Sequence, residues 1–277
     1  MPAIIWQRQG RAPSTGKGPS PTFEDNFSSL RLWDGFSGTW ETCPWYSTFN
    51  GNNVTGELGW MVNSNYAQTA SIKSWSVTGG LLSLAADRSD KYSTMIQQEL
   101  FPFLYTSPWL DTYHSFSQTY GYFEIQAKLP RGQGSHFGFW LLCFPPCMPY
   151  SELDVAETIG SQTTKLVTTG WSGATEITAT SVGQSKNVVD TSAGFHIYSV
   201  LWTADTITWY FDRIQVFRAT TPTAMHKPMY IIINVAIGGR WPGNPDGTTP
   251  WPIVTQVKYV RAYTVSDGLI ILKTPVK

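Results

Sequence analysis

No stretch of this sequence approaches the roughly 18 consecutive apolar residues that a membrane-spanning helix needs, so a helical membrane span is not expected. Charge of one sign is missing too. Lys plus Arg and Asp plus Glu number 19 each, for a formal net charge of zero. Without a basic field to gather phosphates, nucleic acid is a poor partner. Cysteine is sparse, and Cys43, Cys143 and Cys147 lack the paired CxxC or histidine spacing of a zinc site, so neither metal nor cofactor is expected. Cys143 and Cys147 flank Phe-Pro-Pro and leave two readings open, a disulfide or buried free thiols. The N-terminus, MPAIIWQRQGRAPSTGKGPSP, lacks a charged start followed by a long apolar segment and does not read as a signal peptide. Sustained helical periodicity with caps is absent as well.

What the chain has instead is aromatic surface and β-type alternation. It carries 13 Trp, 13 Tyr and 14 Phe, against only 14% charged residues. Such side chains serve equally as core filling and as flat platforms for sugar rings. From Phe23 onward, short runs rich in Val, Ile, Tyr, Phe and Trp alternate with turn signals, among them GYFEIQAKL, HFGFWLL, ELDVAE, FHIYSVLWT, ITWYFD and MYIIINVAI. This pattern predicts an all-β jelly-roll, a sandwich of two antiparallel sheets with an open cleft, in one domain over residues 22–265. Residues 1–21 read as a flexible lead-in and 266–277 as a C-terminal tail. The aromatic connections 40–65 and 101–119 are too long to be plain loops and are expected to wall a cleft.

Ser151-Glu152-Leu153-Asp154-Val155-Ala156-Glu157 is the most informative segment. Residues two apart on a strand share a face, so Glu152 and Asp154 point together. Glu157, three beyond Asp154, returns to that face only if a bulge at Val155 and Ala156 absorbs one residue. Leu153 and the bulged apolar pair then belong to the core. Three acids on one face repel one another, and a sequence shaped by stability alone avoids that. Retaining glycoside cleavage needs such a set: an ionised carboxylate to attack the anomeric carbon and a protonated one ~5–5.5 Å away to protonate the leaving oxygen.

These residues, with their flanks, resemble glycoside hydrolase family 16, in its laminarinase-like branch with a bulged ExDxxE strand. The resemblance runs from Phe23-Glu24-Asp25-Asn26-Phe27 through Tyr120–Pro130, Gly138–Leu142, Gly194–Thr203 and Tyr230–Gly239. Trp241-Pro242-Gly243 and Tyr259-Val260-Arg261-Ala262-Tyr263 close it, so residues 22–264 are covered. It implies that Glu152 is the nucleophile, Asp154 an assisting acid and Glu157 the general acid/base. It places Trp140 beside the scissile sugar and Asn234 and Trp241 on the floor and rim of the cleft. Trp109, in the aromatic 101–119 connection, joins the substrate contacts. Gly238-Gly239 is expected to give close backbone approach in a turn.

Two departures from the family pattern stand out. Many relatives carry a histidine, near the acid/base, on the strand after the catalytic one. Here Trp171 stands there, either replacing that contact or stacking on sugar. Relatives often have an aspartate of a calcium site before the tyrosine of the YVRxY segment, and this chain has Lys258, which cannot ligate calcium. His136 falls where relatives have an aromatic cleft residue and is assigned to sugar; His196 reads as structural. The implied activity is endo-hydrolysis of a β-linked polysaccharide, foremost a β-1,3- or mixed β-1,3/1,4-glucan. Another β-linked polymer such as a galactan or bacterial exopolysaccharide, transglycosylation, or a noncatalytic carbohydrate-binding sandwich are the alternatives. A monomer acting outside the cell or in the periplasm is expected.

Overall fold

Side-chain polarity alternates along many of the strands, and the architecture follows from where each apolar set is buried. The computed structural model describes residues 21–45, 56–145, 147–266 and 269–271. The expected lead-in therefore lies almost wholly outside the described residues, as does part of the 40–65 connection. In chain order the strands are β1 (Phe23–Asp25), β2 (Gly59–Met61), β3 (Trp75–Thr78), β4 (Leu81–Arg88), β5 (Tyr105–Ser107), β6 (Trp109–Asp111), β7 (Ser117–Gln118), β8 (Gly121–Lys128) and β9 (Ser135–Cys143). They continue as β10 (Tyr150–Ile159), β11 (Lys165–Gly173), β12 (Thr180–Asn187), β13 (His196–Trp202), β14 (Thr206–Phe211), β15 (Ile214–Thr220), β16 (Met229–Ile237), β17 (Ile253–Ser266) and β18 (Leu269–Ile271).

Two sheets form the sandwich. One runs β15-β14-β13-β8-β17-β4-β5-β2, with β1 and β18 paired to β17 and β3 to β4. The other runs β12-β11-β10-β9-β16-β6, with β7 beside β16. These ladders are antiparallel except for β2 and β5, which pair in parallel with Gly59 opposite Tyr105. The expected jelly-roll of two sheets is what folds, with that one parallel exception at an edge.

Between the sheets lies the core. Phe123, Ile125 and Ala127 of β8 meet Phe137, Phe139 and Leu141 of β9, Leu153, Val155 and Ala156 of β10, and Ile231, Ile233 and Val235 of β16, all essentially inaccessible to water. Each such large apolar side chain contributes ~1.5–3 kcal/mol relative to exposure. A one-residue slip of β10 would exchange Leu153 for Asp154 in this layer, so the register is strongly enforced.

One element runs against the sequence reading. Thr94–Leu100 forms a short α-helix, α1, capped by the Ser93 hydroxyl accepting from the Ile96 amide at 3.4 Å. Seven residues are too few to print a helical period, and only Leu100 of the seven is buried. Cys143 and Cys147 are joined as a disulfide with Cα atoms 5.4 Å apart, which settles the pairing the sequence left open. Gly238 and Gly239 adopt φ of +74° and +105° in the turn after β16, as a glycine pair allows.

Candidate active site

The outward face of the second sheet carries the acids. β10 presents Tyr150, Glu152 and Asp154 on that face in regular alternation, and the register then shifts by one residue. Against β9, Asp154 pairs with Trp140 and Ala156 with Phe139, so Val155 is the extra residue. Glu157 thereby returns to the face of Glu152 and Asp154, and all three line one cleft. A bulge interrupts the ladder, and the Asp154 carbonyl at this bulge accepts from the Trp209 indole N–H at 2.9 Å. Trp209 belongs to β14 in the opposite sheet and is fully buried, so the irregular strand is held from within the core.

The cleft extends to either side of the acids. Toward β9, β16 and β6 a volume of about 750 Å³ opens over Trp140, Asn234 and Trp109. Toward β11 a further 510 Å³ opens over Thr169, Trp171 and Trp241. Tyr150, Glu152, Asp154, Glu157 and Glu176 border both. The acids thus sit in the middle of a groove rather than at the end of a pocket.

Burial shapes their chemistry. Desolvation, joined by the charge of Glu157, pushes Glu152 up to about 7 against the stabilising hydrogen bond from Tyr150. Asp154, buried and facing both glutamates, is raised well above the ordinary aspartate range. A hydrogen bond between Asp154 and Glu152 favours the proton on Asp154 and the charge on Glu152. Of the two, Asp154 is the group that favours the proton, and its hydroxyl donates a hydrogen bond to Glu152. The Tyr150 hydroxyl donates to the other side of the same carboxylate, through Oε2. Trp171 donates its indole N–H to Asp154 Oδ2 at 3.1 Å. Glu157 Oε1 lies 2.9 Å from His136 Nε2, and the His136 ring meets that of Trp241 edge to face at 4.8 Å.

Every site residue expected from the sequence lies in this groove, though not all in the expected way. Trp140 is half-buried, and its indole N–H donates to Asn234 Oδ1 at 3.0 Å. Gly138 makes room for that bond: a Cβ there would stand 2.7 Å from Asn234 Oδ1. Trp109 is only 1% exposed, donates to Asp111 at 2.6 Å and packs edge-on against Trp140. It backs Trp140 instead of offering its own face to sugar. Trp171 and Trp241, 37% and 46% exposed, do offer open rings. His196 pairs with Asp212 at 2.7 Å and stacks on Phe211, a structural role. Lys258 sits with its ammonium 4.4 Å from the Phe195 ring centre.

Tyr150 and Glu176 escaped the sequence reading. Tyr150 was legible, because it lies two before Glu152 and shares its face. Glu176 lies on the exposed segment between β11 and β12, where no periodicity marks a site.

Comparison with known proteins places this geometry. The chain is 43% identical over 250 residues to the endo-1,3-1,4-beta-glycanase EglC of Rhizobium meliloti (strain 1021), covering 88% of this chain and 51% of the relative. It is 40% identical over 248 residues to the endo-1,3-1,4-beta-glycanase ExsH of the same organism, covering 89% and 52%. It therefore spans about half the length of these curated relatives. Among solved structures, the catalytic domain of an endo-1,3-beta-glucanase (laminarinase) from Thermotoga petrophila RKU-1 superposes with a TM-score of 0.69 at 26% identity, over 90% of this chain and 98% of that one. The family model for glycosyl hydrolases family 16 matches residues 62–259, which takes in the bulged acidic strand and both flanks of the groove, and the chain belongs to that family.

Proposed function

We propose that this chain cleaves internal linkages of a β-1,3- or mixed β-1,3/1,4-glucan by double displacement with retention of configuration. The observation that carries this reading is the bulge after Asp154, which brings Glu157 onto the face of Glu152 in the middle of a groove open on both sides. A groove of that form accepts a chain interior; the Thermotoga petrophila structure is named an endo-1,3-beta-glucanase, and the two relatives are named endo-1,3-1,4-beta-glycanases. Glu152, held by hydrogen bonds from Tyr150 and Asp154, attacks the anomeric carbon. Glu157 protonates the departing glycosidic oxygen and then takes a proton from the water that releases the glycosyl-enzyme. Asp154 keeps its own proton through the first step, so its hydrogen bond to Glu152 orients the nucleophile without adding a third charge. Half-buried Trp140 and the open rings of Trp171 and Trp241 provide stacking surfaces for sugars on either side of the scissile bond.

The test is digestion of linkage-defined polysaccharides with product sizing and linkage analysis, using the parent, Glu152→Gln and Glu157→Ala. Both variants should lose hydrolysis of polymer, and azide should restore turnover of an activated glycoside by Glu157→Ala through a β-glycosyl azide. Intact hydrolysis by Glu152→Gln would remove the assigned nucleophile. The exposed rings and the open rim also suit another β-linked polymer, and a panel containing galactans and exopolysaccharides decides between them.

A further inference from the structure

We infer that His136 is a positioning residue for proton delivery by Glu157, and that it acts through Glu157 Oε1 and not through the sugar. The inference rests on the assignment of Glu157 as acid/base made above. His136 lies on β9, paired with Ile159 of β10 on one side and Ala236 of β16 on the other, so its backbone is fixed by two ladders. Its side chain is 19% exposed and that of Glu157 is 17% exposed, so the 2.9 Å contact between them is largely withdrawn from solvent. The Trp241 ring fixes the plane of the imidazole by packing against it at 66°.

A carboxyl group that serves as acid must present its proton from one particular oxygen. With a proton on Nε2, His136 donates to Glu157 Oε1, and an oxygen that accepts this bond is disfavoured as the proton carrier. The proton then resides on Oε2, and rotation of the carboxyl about its last bond is arrested. Once that proton has passed to the leaving oxygen, the same N–H stabilises the Glu157 carboxylate while it waits to deprotonate water. Proton count is unchanged at His136 throughout, since the imidazole gives up nothing. A histidine that merely touched sugar would have no need to be aimed at Glu157, and its outer face would be free of Trp241.

Leaving-group dependence distinguishes this role. A β-glucan oligosaccharide departs as a sugar alkoxide and depends on the acid, whereas a 2,4-dinitrophenyl β-glycoside of the same sugar departs without a proton. The parent, His136→Phe, His136→Gln and Glu157→Ala are compared by kcat/KM on both substrates. His136→Phe should lose about 10- to 100-fold on the oligosaccharide and stay within about threefold on the dinitrophenyl substrate. His136→Gln retains an N–H donor and should recover most of the loss. Equal losses on the two substrates, or a rise in KM with kcat unchanged, would overturn the inference and return His136 to packing or sugar contact. Glu157→Ala controls the underlying assignment: its selective loss on the oligosaccharide upholds Glu157 as acid whatever His136 does, and equal activity on both would remove that assignment by itself.

Discussion

Replacing Glu152 by glutamine should make the folded protein more stable at neutral pH even as it abolishes hydrolysis. The carboxyl of Glu152 is held at about 7 in the fold against 4.5 for a free glutamate, first because burial strips water from its charge and then because Glu157 faces it. At ~1.4 kcal/mol per tenfold change in proton affinity, that difference amounts to about 3 kcal/mol. The sign follows from proton counting. Between 4.5 and 7 the folded protein holds a proton that the unfolded chain has released, so raising the pH favours unfolding. Relative to the acid end, stability is complete below pH 4.5, declines as the pH rises through about 7, and is level above that. Glutamine carries no charge to desolvate, and its amide still meets Tyr150 and Asp154. Urea unfolding at pH 4.5, 6 and 8, read at constant slope, should therefore give a difference between Glu152→Gln and parent that grows from near zero to about 3 kcal/mol. Parallel stability–pH curves, or a variant less stable than the parent at pH 8, would refute the account of a strained, desolvated nucleophile.

Because Glu152 must be ionised to attack, the parent should lose kcat/KM below about pH 7. Tyr150→Phe removes a hydrogen bond that favours the charged form, and should move this acid limb upward by about one pH unit in a pH–rate profile. Gly138→Ala should leave the fold intact, since the residue borders the groove, but its methyl group would part Asn234 from Trp140. An increase in KM of about fivefold with little change in kcat is expected from steady-state kinetics, the value of one neutral hydrogen bond.

The acidic strand was the most legible part of the molecule. The three-residue step from Asp154 to Glu157 breaks strand alternation, and a bulge is the only way to reconcile it with two acids on one face and an apolar trio on the other. Contacts between strands were less visible. Nothing local to Ser135-His136-Phe137 says that the imidazole meets Glu157, because that depends on the offset of β9 against β10 across the bulge. Trp109 reads as a sugar contact because its sequence neighbours are aromatic, yet Met61, Leu142, Tyr230 and Ile232 from other strands pack around it. β12, with the sequence TSVGQSKN, shows little apolar alternation because it is the outermost strand of its sheet and mostly exposed. The helix α1 left no periodic trace, being two turns long.

The indole of Trp209 reaches the Asp154 carbonyl from beneath, across the thickness of the sandwich. The spacing of the acids is thus anchored to the interior, while the exposed side chains of Trp45 and Glu176 border the cleft above it. Substrate preference and bond-breaking chemistry are in this way mechanically separate. The border near Trp45 can be exchanged to admit a different glycan without touching the reacting groups, whereas repacking between the layers near Trp209, or loss of Trp241 from His136, would disturb the chemistry.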